Sequence, residues 1–245
     1  MSYFKIYKID ATKSTNDYLK NLYFKKKIHD GFILTTNHQT SGRGQRNNTW
    51  ESEPGKNLIL SIYKDLKDLK IKNPFLMNAI ISLALIETLK ELKVPELKIK
   101  WPNDILSASK KISGILIENF FKTEFITSTI IGIGLNVNQI NFKKTPNACS
   151  VFSVTGFSID LDEALKCLIK NIQKKFKYIE KFSSEQIFFE YESFLYKKDE
   201  SSLFKSKNKI FIGFIKGINE IGRLKILNQD KEIEEYDLKE IELMN

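Results

Sequence analysis

Hydrophobic periodicity changes twice along this chain, and the change limits the folds open to it. Leu97 to Trp101, Ile112 to Glu118 and Phe125 to Val137 are short apolar runs that read as strands. Before them, Thr12 to Lys27 places Tyr18, Leu19, Leu22 and Tyr23 on one helical face. Gly31 to Thr36 reads as a short apolar strand, and Asn57 to Tyr63 alternates as a half-buried strand should. Asn73-Pro74 opens a second helix carrying Phe75, Leu76, Ala79, Ile80, Leu83, Ile86 and Leu89. After the strands, Asp160 caps a long helix with Leu161, Leu165, Leu168, Ile169, Ile172, Phe176 and Ile179 at helical spacing. Ser184 to Tyr196 reads as one more. A β-rich middle flanked by helices predicts an α+β fold, a mixed sheet with helices packed mainly on one face.

The character changes again near residue 198. KDESSLFKSKNK is polar and reads as a linker. Beyond it period-two alternation, punctuated by Gly217, Gly222 and Asn228-Gln229-Asp230, predicts three or four short strands in a small β-barrel. The expected division is residues 1–197 as one domain and 198–245 as a small C-terminal barrel. So small a unit needs to pack on the main domain.

The net charge of +9 raises the question of nucleic acid. The lysines, however, are interleaved with Asp and Glu along the chain, which argues against a dedicated nucleic-acid arm. Cys149 and Cys167 lack metal or redox spacing. Cys167 falls on a predicted apolar helix face, so a buried reduced thiol is expected there. The start MSYFKIYKID has no apolar signal core, and no apolar run reaches membrane-span length. A cytoplasmic location is the expectation, with no membrane contact.

Of the 39 basic residues only Arg43, Arg46 and Arg223 are arginine, and two of these lie in GRGQRNNTW, Gly42 to Trp50. Glycines allow close backbone approach, guanidinium groups fit phosphate or carboxylate, and the indole offers a flat wall. The loop therefore suits a bound anion beside a planar group, or it is an exposed turn with two solvated charges. KWPND, Lys100 to Asp104, gathers an ammonium, an indole, an amide and a carboxylate where Pro102 ends a strand. That set suits a polyanion and Mg²⁺ on Asp104, or a capped turn with a surface Lys–Asp pair. KISGILIE, Lys111 to Glu118, and GIGLNVN, Gly132 to Asn138, put glycines inside apolar strands, where backbone is left exposed for a ligand.

In order along the chain, STN (Ser14 to Asn16), Gln39 with GRG…W, NLILS, KWPND, KISGIL and GIGLNVN resemble the biotin–protein ligase family over roughly residues 12–138. The terminal barrel resembles that family's small C-terminal domain. The resemblance implies a class II synthetase-like catalytic domain and an ATP-dependent ligase that forms biotinyl-5′-AMP. That intermediate would biotinylate a lysine on a biotin carboxyl carrier domain, as of acetyl-CoA carboxylase. ATP and Mg²⁺ would be needed, with biotin as substrate.

Carried over by position, the resemblance assigns Lys111, Arg43 and Lys100 to catalysis. It gives biotin Ser14, Thr15, Asn16, Gln39, Gly42, Arg43, Trp50, Lys111 and Gly114. It gives ATP Arg43, Gln45, Arg46, Trp50, Lys100, Asn103, Lys111 and Asn136, and the metal Asp104. Ala148 to Val151 lies where the family's adenine-covering loop is found, though the match there is poor. Many members carry arginine where Gln45 stands, so the neutral amide is expected to hold the adenylate less tightly unless Arg46 substitutes. STN begins within the first 16 residues, so the helix-turn-helix repressor domain of some members, and specific DNA binding, are not expected. A homodimer paired through sheet edges is compatible with the resemblance. The competing readings are a lipoate or octanoate ligase or transferase, and a non-catalytic biotin- or RNA-binding module.

Overall fold

The computed structural model describes residues 3–45, 48–143, 145–207 and 209–244. Strand β1 (Lys5–Thr12) runs to the turn before α1 (Thr15–Phe24). The sequence reading put residue 12 in the helix. Instead Ser14 is extended, and its hydroxyl accepts from the Asp17 N–H at 3.3 Å, so the helix starts at Thr15, three residues later than read. Strands β2 (Phe32–Gln39) and β3 (Asn57–Asp65) follow, then α2 (Phe75–Glu91). Strand β4 (Leu97–Lys100), β5 (Asp104–Ser107), β6 (Lys110–Lys122) and β7 (Phe125–Asn136) complete a seven-stranded sheet. Its order is β1-β2-β3-β7-β6-β5-β4, with β1 and β2 parallel and every other pair antiparallel.

Helix α2 is buried on all sides rather than along one stripe. The short α3 (Val151–Thr155) leads to α4 (Leu161–Ile179) and α5 (Ser184–Ser193), which pack over α2 on one face of the sheet. Asp160 does cap α4, accepting from the Asp162 and Glu163 N–H groups. Helix α1 lies on the opposite face, over β2, β3 and β7. Strand β3 is therefore covered on both faces, not half-buried as its alternation suggested. No helix among the described residues is long and apolar enough to cross a membrane. Cys149, not Cys167, is the fully buried thiol, and burial pushes it up to about 11. Cys167 is half-buried beside Glu91.

The second sheet has five antiparallel strands, four of them in the segment read as strands and one in the run read as a linker. They are β8 (Ser201–Ser206), β9 (Lys209–Ile218), β10 (Leu224–Leu227), β11 (Ile233–Tyr236) and β12 (Glu242–Leu243). The order is β11-β10-β9-β8-β12, and among the described residues no pairing of β11 with β12 closes it into a barrel. Strand β8 occupies the segment read as a linker, because Phe204 is a fully buried anchor within that polar run. Phe204, Ile215, Ile218, Leu224 and Ile226 belong to the same apolar core as α2 and the large sheet.

The two sheets meet tightly at Gly222. Its φ is +88°, and a Cβ there would lie 2.1 Å from Phe75 Cγ. Its carbonyl accepts the Trp101 indole N–H at 2.9 Å. Gly222→Ala is expected to cost about 2 kcal/mol, combining left-handed strain with overpacking. A thermal melt checks this, and an unchanged midpoint would contradict the contact.

Candidate active site

A cavity of about 570 Å³ opens on the α1 face of the large sheet and reaches the second sheet. Its floor is glycine. Gly114 on β6 pairs directly with Gly134 on β7, and Gly132 lies two residues further along the same face. A Cβ at Gly134 would sit 2.3 Å from Trp50 Cε2, and one at Gly114 would sit 3.1 Å from Trp50 Cζ3. A Cβ at Gly132 would sit 2.4 Å from Asn16 Oδ1. The glycines therefore admit an indole and an amide flat against the backbone, where any larger residue would hold them off. The Trp50 indole N–H is buried without a hydrogen-bond acceptor among the described residues.

At the Gly132 end the wall is polar. The Thr15 N–H and hydroxyl both donate to Gln39 Oε1, at 2.7 and 3.1 Å. Ser61 on β3 lies 2.7 Å from Thr15 Oγ1 and 2.6 Å from Asn16 Oδ1. Asn16 Nδ2 donates to Glu118 Oε2 at 3.0 Å and to the Leu116 carbonyl at 3.3 Å. Asn16 is thus fully engaged. The Gln39 amide N–H groups have no acceptor among the described residues and remain free for a ligand. Ser61 and Glu118 lie in NLILS and KISGILIE, but a serine or glutamate ending an apolar run gives no sign of which partners it will meet.

At the Gly114 end the wall is cationic. Lys111, the second residue of β6, is braced through its backbone, its N–H donating to the Asn147 carbonyl and its carbonyl accepting from the Cys149 N–H, each at 2.8 Å. Its Nζ lies 2.6 Å from Asp104 Oδ1 and 5.7 Å from the Trp50 ring centre. Lys100 lines the same wall and makes no ion pair among the described residues. The turn between them is held from behind, since the buried Tyr191 hydroxyl donates to the Pro102 carbonyl at 3.1 Å. Burial, with the Asp104 charge adding to it, pushes the Tyr191 phenol up, which keeps it a neutral donor. Asn103 is turned to β6, its Nδ2 donating to the Ile115 carbonyl at 2.6 Å.

Residues 42–43 run antiparallel to 49–50, with Arg43 bridged to Thr49 and the Trp50 N–H donating to the Gly42 carbonyl at 2.9 Å. The Arg43 guanidinium pairs with Asp17, and lies 3.4 Å from Glu118 Oε1. Burial alone would raise the Glu118 carboxyl. Hydrogen bonds from Lys20 and Asn16 and the Arg43 charge outweigh it and hold Glu118 below its usual range.

Of the residues singled out in the sequence, Ser14, Thr15, Asn16, Gln39, Arg43, Gln45, Trp50, Lys100, Asn103, Asp104, Lys111 and Gly114 line this one cavity. Gly42 lies behind the wall, against Gln39 and the Trp50 carbonyl. Arg46 lies outside the described residues. Asn136 is not on the cavity wall: it is 2% exposed, its Nδ2 donates to the Cys149 carbonyl at 3.0 Å, and its Oδ1 has no donor among the described residues.

A model of the biotin/lipoate A/B protein ligase family matches residues 9–136, more than half of the chain. The chain belongs to this ligase family. Its similarity to curated members runs well beyond the matched segment. It is 27% identical over 244 residues to the bifunctional ligase/repressor BirA of Bacillus subtilis, covering 96% of this chain and 72% of that one. It is 29% identical over 149 residues to the biotin–[acetyl-CoA-carboxylase] ligase of Mycobacterium tuberculosis, covering 60% of this chain and 54% of that one. Among solved structures, the biotin protein ligase from Aquifex aeolicus in complex with biotin and ATP superposes with a TM-score of 0.82. It shares 26% identity, with 98% of both chains covered. The family match ends at β7, while the structural likeness includes the second sheet that closes the cavity.

Proposed function

We infer that the chain is a biotin–protein ligase. It joins biotin to ATP as biotinyl-5′-AMP and then passes the biotinyl group to a lysine amine. The observation that carries this reading is the slot over Gly132, Gly134 and Gly114, polar at one end and cationic at the other. Two residues of extended strand separate Gly132 from Gly134, about 7 Å, a span that suits a short acyl chain between a ureido ring and a carboxylate. The free Gln39 amide donors suit the ureido carbonyl, and the Thr15 and Ser14 hydroxyl oxygens suit its N–H groups. Asn16 and Ser61 buttress them.

In the first half-reaction a biotin carboxylate oxygen bonds to the α-phosphorus. The Pα–O bond to the β-phosphate breaks, and pyrophosphate leaves with that electron pair. Both reactants are anions, so the residues act chiefly by position and charge. Lys111 sits where carboxylate and α-phosphate meet, with Lys100 beside it. Arg43 adds a third cation once the loop swings it off Asp17 and Glu118. In the second half-reaction a neutral lysine amine attacks the mixed-anhydride carbonyl, AMP leaves, and the amine nitrogen loses a proton.

No group of three or more His, Cys, Asp or Glu side chains suited to a metal occurs among the described residues. One carboxylate, Asp104, fits Mg²⁺, which commonly takes one or two protein oxygens and fills its shell with phosphates and water. Bound there, Mg²⁺ would neutralise phosphate charge. The name of the mycobacterial relative supports the carrier domain of a carboxylase as acceptor.

A lipoate or octanoate substrate is disfavoured by the polar end of the slot. A dithiolane or alkyl terminus would leave buried donors and acceptors unmet, a strong discriminator between substrates. Incubation with ATP, Mg²⁺ and labelled biotin, without acceptor, is expected to release pyrophosphate only when biotin is present. Release driven by lipoate or octanoate instead, or by none of the three, would overturn the reading.

A further inference from the structure

The second sheet brings a cation of its own to the cavity. Lys205 on β8 lines it, as do Lys100, Asp104 and Lys111 of the large sheet. The cavity cations fall into two groups. Lys111 is paired with Asp104, and Arg43 with Asp17 and Glu118. Lys100 and Lys205 make no ion pair among the described residues, although Glu242 stands directly across from Lys205 in the β8–β12 ladder.

Trp101, in the turn after β4, is hydrogen-bonded to the Gly222 carbonyl, and the Ile218 N–H donates to Glu192 Oε1 on α5 at 2.8 Å, so the second sheet is tied to the β4–β5 turn and to α5.

We propose that Lys205 is the cation that holds the β- and γ-phosphates of ATP, and then the departing pyrophosphate, together with Lys100. This rests on the ligase reading above. With biotin's carboxylate at Lys111, the α-phosphate lies at the cationic end of the slot. The remaining two phosphates then extend toward the part of the cavity walled by the second sheet. Two ammonium groups that make no ion pair among the described residues would receive them without first breaking one. The bond from the α-phosphorus to the bridging oxygen breaks with charge accumulating on the pyrophosphate, and a cation there stabilises the leaving group. The second half-reaction contains no pyrophosphate, so Lys205 has no part in it.

That division supplies the test. Lys205 is exposed, so its replacement leaves the core intact. With the full chain, Lys205→Ala is expected to raise the KM for ATP and slow biotin-dependent pyrophosphate release by about tenfold, the order of one charge-assisted contact. Lys205→Arg should restore most of this. Transfer of biotin from synthetic biotinyl-5′-AMP to an acceptor carrier domain should proceed at the wild-type rate in all three proteins. Unchanged ATP kinetics in Lys205→Ala would overturn the proposal. An equal loss in both half-reactions would also overturn it, by pointing to a structural role. If the wild-type chain itself releases no biotin-dependent pyrophosphate, the ligase reading fails, which is a separate and recognisable result.

Discussion

Lys111→Ala is expected to slow biotin-dependent pyrophosphate release by about 10²–10³-fold, the range seen when one preorganised charge-stabilising donor is lost. Two effects combine. The ammonium that would neutralise the attacking carboxylate and the α-phosphate disappears. The Asp104 carboxylate, now 2.6 Å from Lys111 Nζ, is left without its counter-ion on the same wall and repels both anions. The fold should be untouched, because Lys111 is anchored through its own N–H and carbonyl to Asn147 and Cys149, not through its side chain. A thermal midpoint near wild type together with the kinetic loss is the expected pair of results. Near-normal pyrophosphate release would remove Lys111 from its assigned role. Adding chemically made biotinyl-5′-AMP to the variant separates adenylation from transfer.

How far the sequence carried this picture depended on whether a signal was local. Helix α4 was legible because Asp160 and a repeating apolar stripe announce it within one segment. The runs around β4, β6 and β7 were legible as strands for the same reason. Strand β1 was missed because it is a largely exposed edge strand, so most of its residues carry no burial pattern. Strand β8 was missed because one buried phenylalanine, Phe204, sits in a run of serines and lysines. The cavity wall was largely nameable from motifs, since glycines and charged residues at strand ends are unusual in a core. What sequence reading could not supply was direction. Gly132 and Gly134 looked like bare backbone awaiting a ligand, whereas Asn16 and Trp50 already lie on them. Asn136, two residues along the same strand face, points under Cys149 and not into the cavity. Lys205 arrives from a different sheet, and no local pattern could link it to Lys100.

The contact of Trp50 with Gly134 carries the second large effect. In Gly134→Ala the new methyl would fall 2.3 Å from Cε2 and 2.5 Å from Cζ2 of the indole, closer than carbon atoms approach in proteins. The indole cannot slide along β7 toward Gly132, because Asn16 already lies there, and the Trp50 N–H bond to the Gly42 carbonyl holds its backbone. It must lift off the floor and shift the paired Gly42 and Arg43 with it. Biotin affinity is expected to fall, and biotin-dependent pyrophosphate release to fall further, by about 10²-fold, the scale of an ångström-sized misplacement of reacting groups. Trp50 and Trp101 are the chain's two tryptophans, so fluorescence quenching by biotin follows the floor directly. A double-mutant cycle isolates the cause. If the methyl acts through the indole, Gly134→Ala added to Trp50→Ala should cost little beyond Trp50→Ala alone. Additive losses would mean that the methyl obstructs biotin itself, and wild-type turnover in Gly134→Ala would mean that the substrate does not lie on this floor.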